Sequence, residues 1–133
     1  MGAWGAGPFQ NDHALDFLAE LSELPPAAMG SRITSALTLP SDGYLELNQA
    51  CAAIAAAELI AAARRAAPED LDAEAVVVVQ SDAETDGVEV RDLAVAALVR
   101  VNGESSEWRD LWKESGSWEE ADQMITALRA KLS

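Results

Sequence analysis

The sequence predicts an all-α domain, a compact bundle of five to seven helices around a long alanine-rich central helix. Three observations predict it. Apolar residues recur at three- and four-residue spacing along most of the chain. About residues 45–66 are dominated by alanine, the residue with the strongest intrinsic helix preference. Prolines, glycines and small polar residues fall where such segments would start and stop. At 133 residues, half of them hydrophobic, the chain has the size and apolar content of one domain, 1–133, with a real core.

Residues 2–9 hold three glycines and a proline, and Asn11 or Asp12 then suits the N-cap of a first helix. Its apolar stripe is Ala14, Phe17, Leu18 and Leu21, with Asp12, His13, Asp16, Glu20 and Glu23 turned away. Pro25-Pro26 breaks it, and Pro26 opens a short second helix over residues 27–37, weakened by Gly30 and closed by Pro40. The turn Ser41-Asp42-Gly43 leads into the long central helix, whose small side chains let neighbours approach closely. Pro68, Glu69, Asp70 and Asp72 suit the start of a helix through Leu71, Ala75, Val78 and Val79. The four valines at 76–79 equally suit a buried strand. From about Val90 a further helix presents Leu93, Ala94, Ala97, Leu98 and Val101 on one side, and Asn102-Gly103 stops it. Trp108, Leu111 and Trp112 fit a short helix. Ser117 with Glu120 has the capping-box spacing and opens a last helix with Ala121, Met124, Ile125, Leu128 and Leu132 as its apolar face.

Nine basic and 23 acidic residues give a net charge of −14. Such a field repels phosphates and anionic lipid headgroups, so nucleic acid and membrane surfaces are poor partners and a basic protein is a good one. Residues 68–92 alone carry nine acids and one base, an acidic face or loop. With Cys51 as the single cysteine there is no intramolecular disulfide and no paired-cysteine metal site, which fits a reducing compartment. The opening MGAWGAGPFQNDH lacks the basic and apolar regions of a secretory signal, and Ala6 stands where myristoylation wants Ser or Thr. The longest nearly apolar stretch, residues 50–63, is too short to span a bilayer and carries Glu58. A cytoplasmic location follows as the expectation.

Glu58 is the most informative single residue. It lies four residues after Ile54 and seven after Cys51, on the stripe that should face the core, where an unpaired carboxylate is costly. It is expected to accept hydrogen bonds from the glycine-rich N-terminal segment or from the Trp4 indole. The rival reading makes it a tuned carboxylate in a ligand pocket, with Asp12 or Asp16 as its companion. The glycines before the first helix do not make a phosphate loop, because the Gly-Lys-Ser/Thr ending is missing and Asp12 and Asp16 would repel phosphate. Trp4 and Phe9 instead suit anchors of a packed strap.

The remaining candidates are weaker. His13 shares a helix face with Asp16, yet without a second histidine or a cysteine pair a zinc site is disfavoured. Asp82, Glu84 and Asp86 before Gly87 imitate the first half of a calcium loop, but Leu93 occupies the position that requires a bidentate Glu, so a solvated acidic loop is the better reading. Trp108 and Trp112 share a helix face; they suit core or domain-closing residues, and if exposed they would form a hot-spot pair for another protein. Ser41, Ser105 and Ser106 have no histidine placed to activate them and no nucleophile-elbow motif.

The opening Gly2-Ala3-Trp4-Gly5-Ala6-Gly7-Pro8-Phe9, followed by Asn11-Asp12 and Ala14-Leu15-Asp16, resembles the bacterial family known as domain of unknown function 4259, with its Gly-x-Trp-Gly-x-Gly-x-Phe-x-Asn-Asp pattern. Gly43-Tyr44-Leu45-Glu46, residues 55–62 and the Leu111-Trp112-Glu114 segment are similar to the same family, whereas residues 71–89 depart most from it. The resemblance implies a small, helical, cytoplasmic bacterial protein and brings no reaction, cofactor or partner.

With one histidine, one cysteine and no recognisable nucleophile, the expectation is a chain without enzymatic activity or cofactor, acting as a protein-interaction or regulatory module. The alternative is a small enzyme or ligand-binding protein that uses Glu58 with Asp12 or Asp16. Charge and size suit a scaffold that meets a basic surface, by analogy with small neutralising proteins, while the same acidity can serve solubility alone. A functional acidic face should sit beside exposed apolar or aromatic residues such as Trp108; a solubility charge should be scattered.

Overall fold

The computed structural model of the chain describes residues 12–40, 42–64 and 88–132. Among the described residues are six helices and no strand: α1 (Asp12–Glu23), α2 (Pro26–Leu37), α3 (Leu47–Arg64), α4 (Val88–Val101), α5 (Glu107–Ser115) and α6 (Trp118–Leu132). The central helix α3 packs against all five of the others, the helical bundle that the sequence predicts. The expected helix over 68–79 with its valine run, the acidic loop at 82–87 and the strap with Trp4 lie outside the described residues.

Helix α1 buries Ala14, Phe17 and Leu21, with Leu18 half-buried beside them. It stops before Pro25, which sits extended at φ −61° and ψ 149° because the ring of Pro26 disfavours a helical residue ahead of it. Pro26 then opens α2, where a missing N–H leaves no helix bond unmade. Ile33, Ala36 and Leu37 are its buried residues. Arg32 joins the two helices: its guanidinium pairs with the Glu20 carboxylate and stacks 4.9 Å from the centre of the Phe17 ring. The ion pair is solvated and contributes little, so the buried Phe17 under that cation is the firmer link.

Ala50, Cys51 and every residue from 53 to 61 are buried, so this stretch of α3 is enclosed on all sides rather than along one stripe. Alanines at 53, 55, 56, 57 and 61 keep the helix thin enough for that. The helix begins two residues later than the alanine pattern suggests, because the main chain of Leu45 is used elsewhere. The Leu45 N–H donates to the Ser105 carbonyl at 2.7 Å, and the Leu45 carbonyl accepts from the Glu107 N–H at 2.9 Å, a one-residue parallel bridge. The exposed donors at the start of α3 find side-chain acceptors: Glu107 Oε1 takes the Leu47 N–H at 2.9 Å and Gln49 Oε1 takes the Glu46 N–H at 3.1 Å.

Helix α4 buries Ala94, Ala97, Leu98 and Val101 and ends at Asn102-Gly103 as expected. Ser106, itself buried, is the N-cap of α5, its hydroxyl accepting the Arg109 N–H at 3.4 Å. Gly116 closes α5 at φ 80°, a conformation that disfavours a side chain. There the Gly116 N–H reaches the Lys113 carbonyl and the Ser117 N–H reaches the Trp112 carbonyl, each at 3.3 Å. Helix α6 buries Ala121, Ile125, Leu128 and Leu132.

Trp108 takes the core-closing place that its helix face suits. It is only 3% exposed, with its ring edge-on to Trp112 at 6.4 Å and to Trp118 at 6.2 Å between centres. Buried against both of those rings, Trp108 closes the core where α5 meets α6. Trp112 and Trp118 remain half-buried at its rim.

Candidate functional site

The loop between α2 and α3 carries the chain's one tyrosine, and Tyr44 is 55% exposed. Its hydroxyl donates to Asp110 Oδ2 at 2.8 Å. Glu107, Asp110 and Glu114 recur at helical spacing along one face of α5, and all three act on the phenol. The hydrogen bond to Asp110, partial desolvation and the surrounding negative charge push the phenol up to about 12. At neutral pH Tyr44 is therefore a neutral donor, held by its acceptor among carboxylates. Sequence reasoning did not single it out as a site residue. The available signal was its place in the Gly43–Glu46 stretch, which the fold sets against Asp110 of α5.

Behind Tyr44 the guanidinium of Arg100, in the last turn of α4, binds main-chain carbonyls from two loops. Nε donates to Pro40 at 2.9 Å and Nη2 to Gly43 at 2.8 Å; Nη1 lies 3.3 Å from the carbonyls of both Glu104 and Ser105. The planar fork suits this arrangement, since its donors diverge in one plane and stay charged at any ordinary pH. Gly43 takes φ 81°, which turns its carbonyl toward Arg100 without the strain a side chain would add. Arg100 also lines an open, mostly apolar cavity of about 340 Å³, together with Leu37, Leu39, Leu93, Ala97 and Val99.

Glu58 is buried, at 4% exposure, as its place on the apolar stripe predicts. Lys131 of α6 reaches its Oε1 at 3.5 Å, a partner that spacing alone did not reveal. Of its expected companions, Asp16 is exposed on α1; Asp12 starts that helix, and its side chain lies outside the described residues, as do Trp4, Asp82, Glu84 and Asp86. His13 is half-buried in the first turn of α1. Among the described residues no three histidines, cysteines or acids are grouped to hold a metal ion, and no helix is long and apolar enough to cross a membrane.

One of three comparisons with known proteins identifies the family. Neither the curated proteins nor the solved structures contain a match to this chain. The family model described as "Domain of unknown function (DUF4259)" matches residues 2–124 and so covers every described helix but the end of α6. The chain belongs to the DUF4259 family.

Proposed function

We propose that the chain is a non-catalytic interaction module that docks a basic protein surface on the face formed by Tyr44 and the acidic side of α5. The observation that carries this is the exposed Tyr44 ring standing beside Asp110, with Glu107 and Glu114 around it. It has the make-up expected of a functional acidic face: an aromatic residue at the surface within a concentrated negative field. A tyrosine offers a large contact with few rotatable bonds, and the bond to Asp110 orders it before any partner arrives, which lowers the entropy lost on docking. Lysine or arginine side chains gain both from the carboxylates and from the ring face. The net charge of −14 steers such a partner from a distance.

The test is capture of basic proteins at low and moderate salt, followed by affinity measurement on those captured. Tyr44→Ala and the reversals Asp110→Lys and Glu114→Lys should each weaken binding about ten-fold or more. Reversal at the exposed Glu23 of α1 should leave it nearly unchanged. Equal losses from all four variants would reduce the acidity to a solubility charge.

A further inference from the structure

We infer that Arg100 is the positioning residue of the Tyr44 face, through carbonyls on both sides of the tyrosine. The inference rests on the docking reading above and adds what sets the geometry of that face. A residue's main-chain direction is defined by the two planar peptides that flank its Cα. For Tyr44, the preceding plane carries the Gly43 carbonyl, held by Arg100 Nη2 at 2.8 Å. The following plane carries the Leu45 N–H, held by the Ser105 carbonyl at 2.7 Å. Ser105 is itself bound by Arg100 Nη1 at 3.3 Å, so one guanidinium acts on both planes, on the second through Ser105.

Ser105 holds φ 60°, a left-handed conformation uncommon for a residue with a side chain. Its carbonyl receives Leu45 and Arg100 together, so the strained residue is the shared acceptor of the clasp. With both peptide planes fixed, the Cα–Cβ direction of Tyr44 is set, and the phenol meets Asp110 at 2.8 Å. Lysine cannot replace Arg100: a single ammonium group does not span acceptors on residues 40, 43, 104 and 105 at once. Arg100 thus governs the face without belonging to its surface chemistry.

The chain's one tyrosine makes the test direct. With fluorotyrosine incorporated at position 44, the fluorine NMR resonance reports the phenol's surroundings. Asp110→Ala defines the position of a phenol that has lost its acceptor. Arg100→Gln and Arg100→Lys should move the resonance toward that position while the helical circular dichroism is retained, and should weaken basic-protein binding about as much as Tyr44→Ala does. Arg32→Gln, which removes a cation on α2, should leave the resonance where it was. A resonance unmoved in folded Arg100 variants would overturn the inference, and loss of helicity in both would overturn it too by making Arg100 a folding residue. Failure of the docking reading is separate: Tyr44→Ala would then leave binding intact even though the Arg100 variants shift the resonance.

Discussion

The carboxylate of Glu107, the first residue of α5, accepts the main-chain N–H of Leu47, the first residue of α3, at 2.9 Å. A helix start leaves N–H groups without partners inside the helix, and its positive end favours an anion. Most helices meet that need with a residue just ahead of the first turn. Here the acceptor comes from sixty residues along the chain, so capping the central helix and docking α5 are one event.

Glu107→Ala should lower folding stability by about 1–2 kcal/mol, the usual effect of losing a cap. Glu107→Gln keeps an acceptor and should lose less. Urea denaturation midpoints of the two variants check the order, and an equal loss in both would assign the effect to charge rather than to the hydrogen bond.

Burial, and secondarily the charge of Glu107, pushes the Cys51 thiol from 9.0 up to about 12. Below the lower value both folded and unfolded chains keep the proton, and stability does not depend on this group. Between the two values the unfolded chain releases a proton that the fold retains, so stability falls as pH rises, by up to about 1.4 kcal/mol per pH unit. Cys51→Ala should flatten that alkaline slope in urea denaturation measured across a pH series. Tyr44 titrates in the same direction in both chains and leaves the difference between them to the thiol.

Ala57 has no exposed surface, whereas Ala52 on the same helix is half-buried. Ala57→Leu should destabilise by about 1–3 kcal/mol or more, because neighbouring helices must move apart to admit the added carbons. Ala52→Leu should be much milder. Thermal melts of the two variants would contradict the enclosed placement of α3 if they coincided.

The Glu58–Lys131 pair is unequal: the carboxylate side chain is 5% exposed and the lysine 46%. Lys131→Ala should therefore lower stability by about 1–3 kcal/mol, because it leaves a buried carboxylate without its cation. Glu58→Gln removes the buried charge itself and should lose less. A Lys131→Ala loss of only a few tenths of a kcal/mol, the usual size for an exposed ion pair, would show that the carboxylate is satisfied without the lysine.

Helix placement was legible where local chemistry decides it. Pro25-Pro26 and Asn102-Gly103 each end or separate helices for reasons contained in a few neighbouring residues. The burial of Glu58 was legible too, because few polar residues interrupt that stripe. What was not legible depends on pairing across the chain. The start of α3 shifts because Leu45 bonds to Ser105 and Glu107, and Trp118 of α6 meets the Trp108 ring because α6 folds back on α5. Tyr44 and Arg100 become informative only once loops some sixty residues apart meet. Side-chain period predicts which face a residue takes, not which distant carbonyl it will find.

The full enclosure of residues 53–61 of α3 has a consequence for how the molecule opens. Amide protons on a helix with one solvent-facing side can exchange with water through small local fluctuations. Residues 53–61 have no such side, so releasing their protons requires several neighbouring helices to separate. Their exchange rates in native buffer should converge on one slow value that reports the free energy of whole-molecule unfolding, making α3 the built-in gauge of global stability.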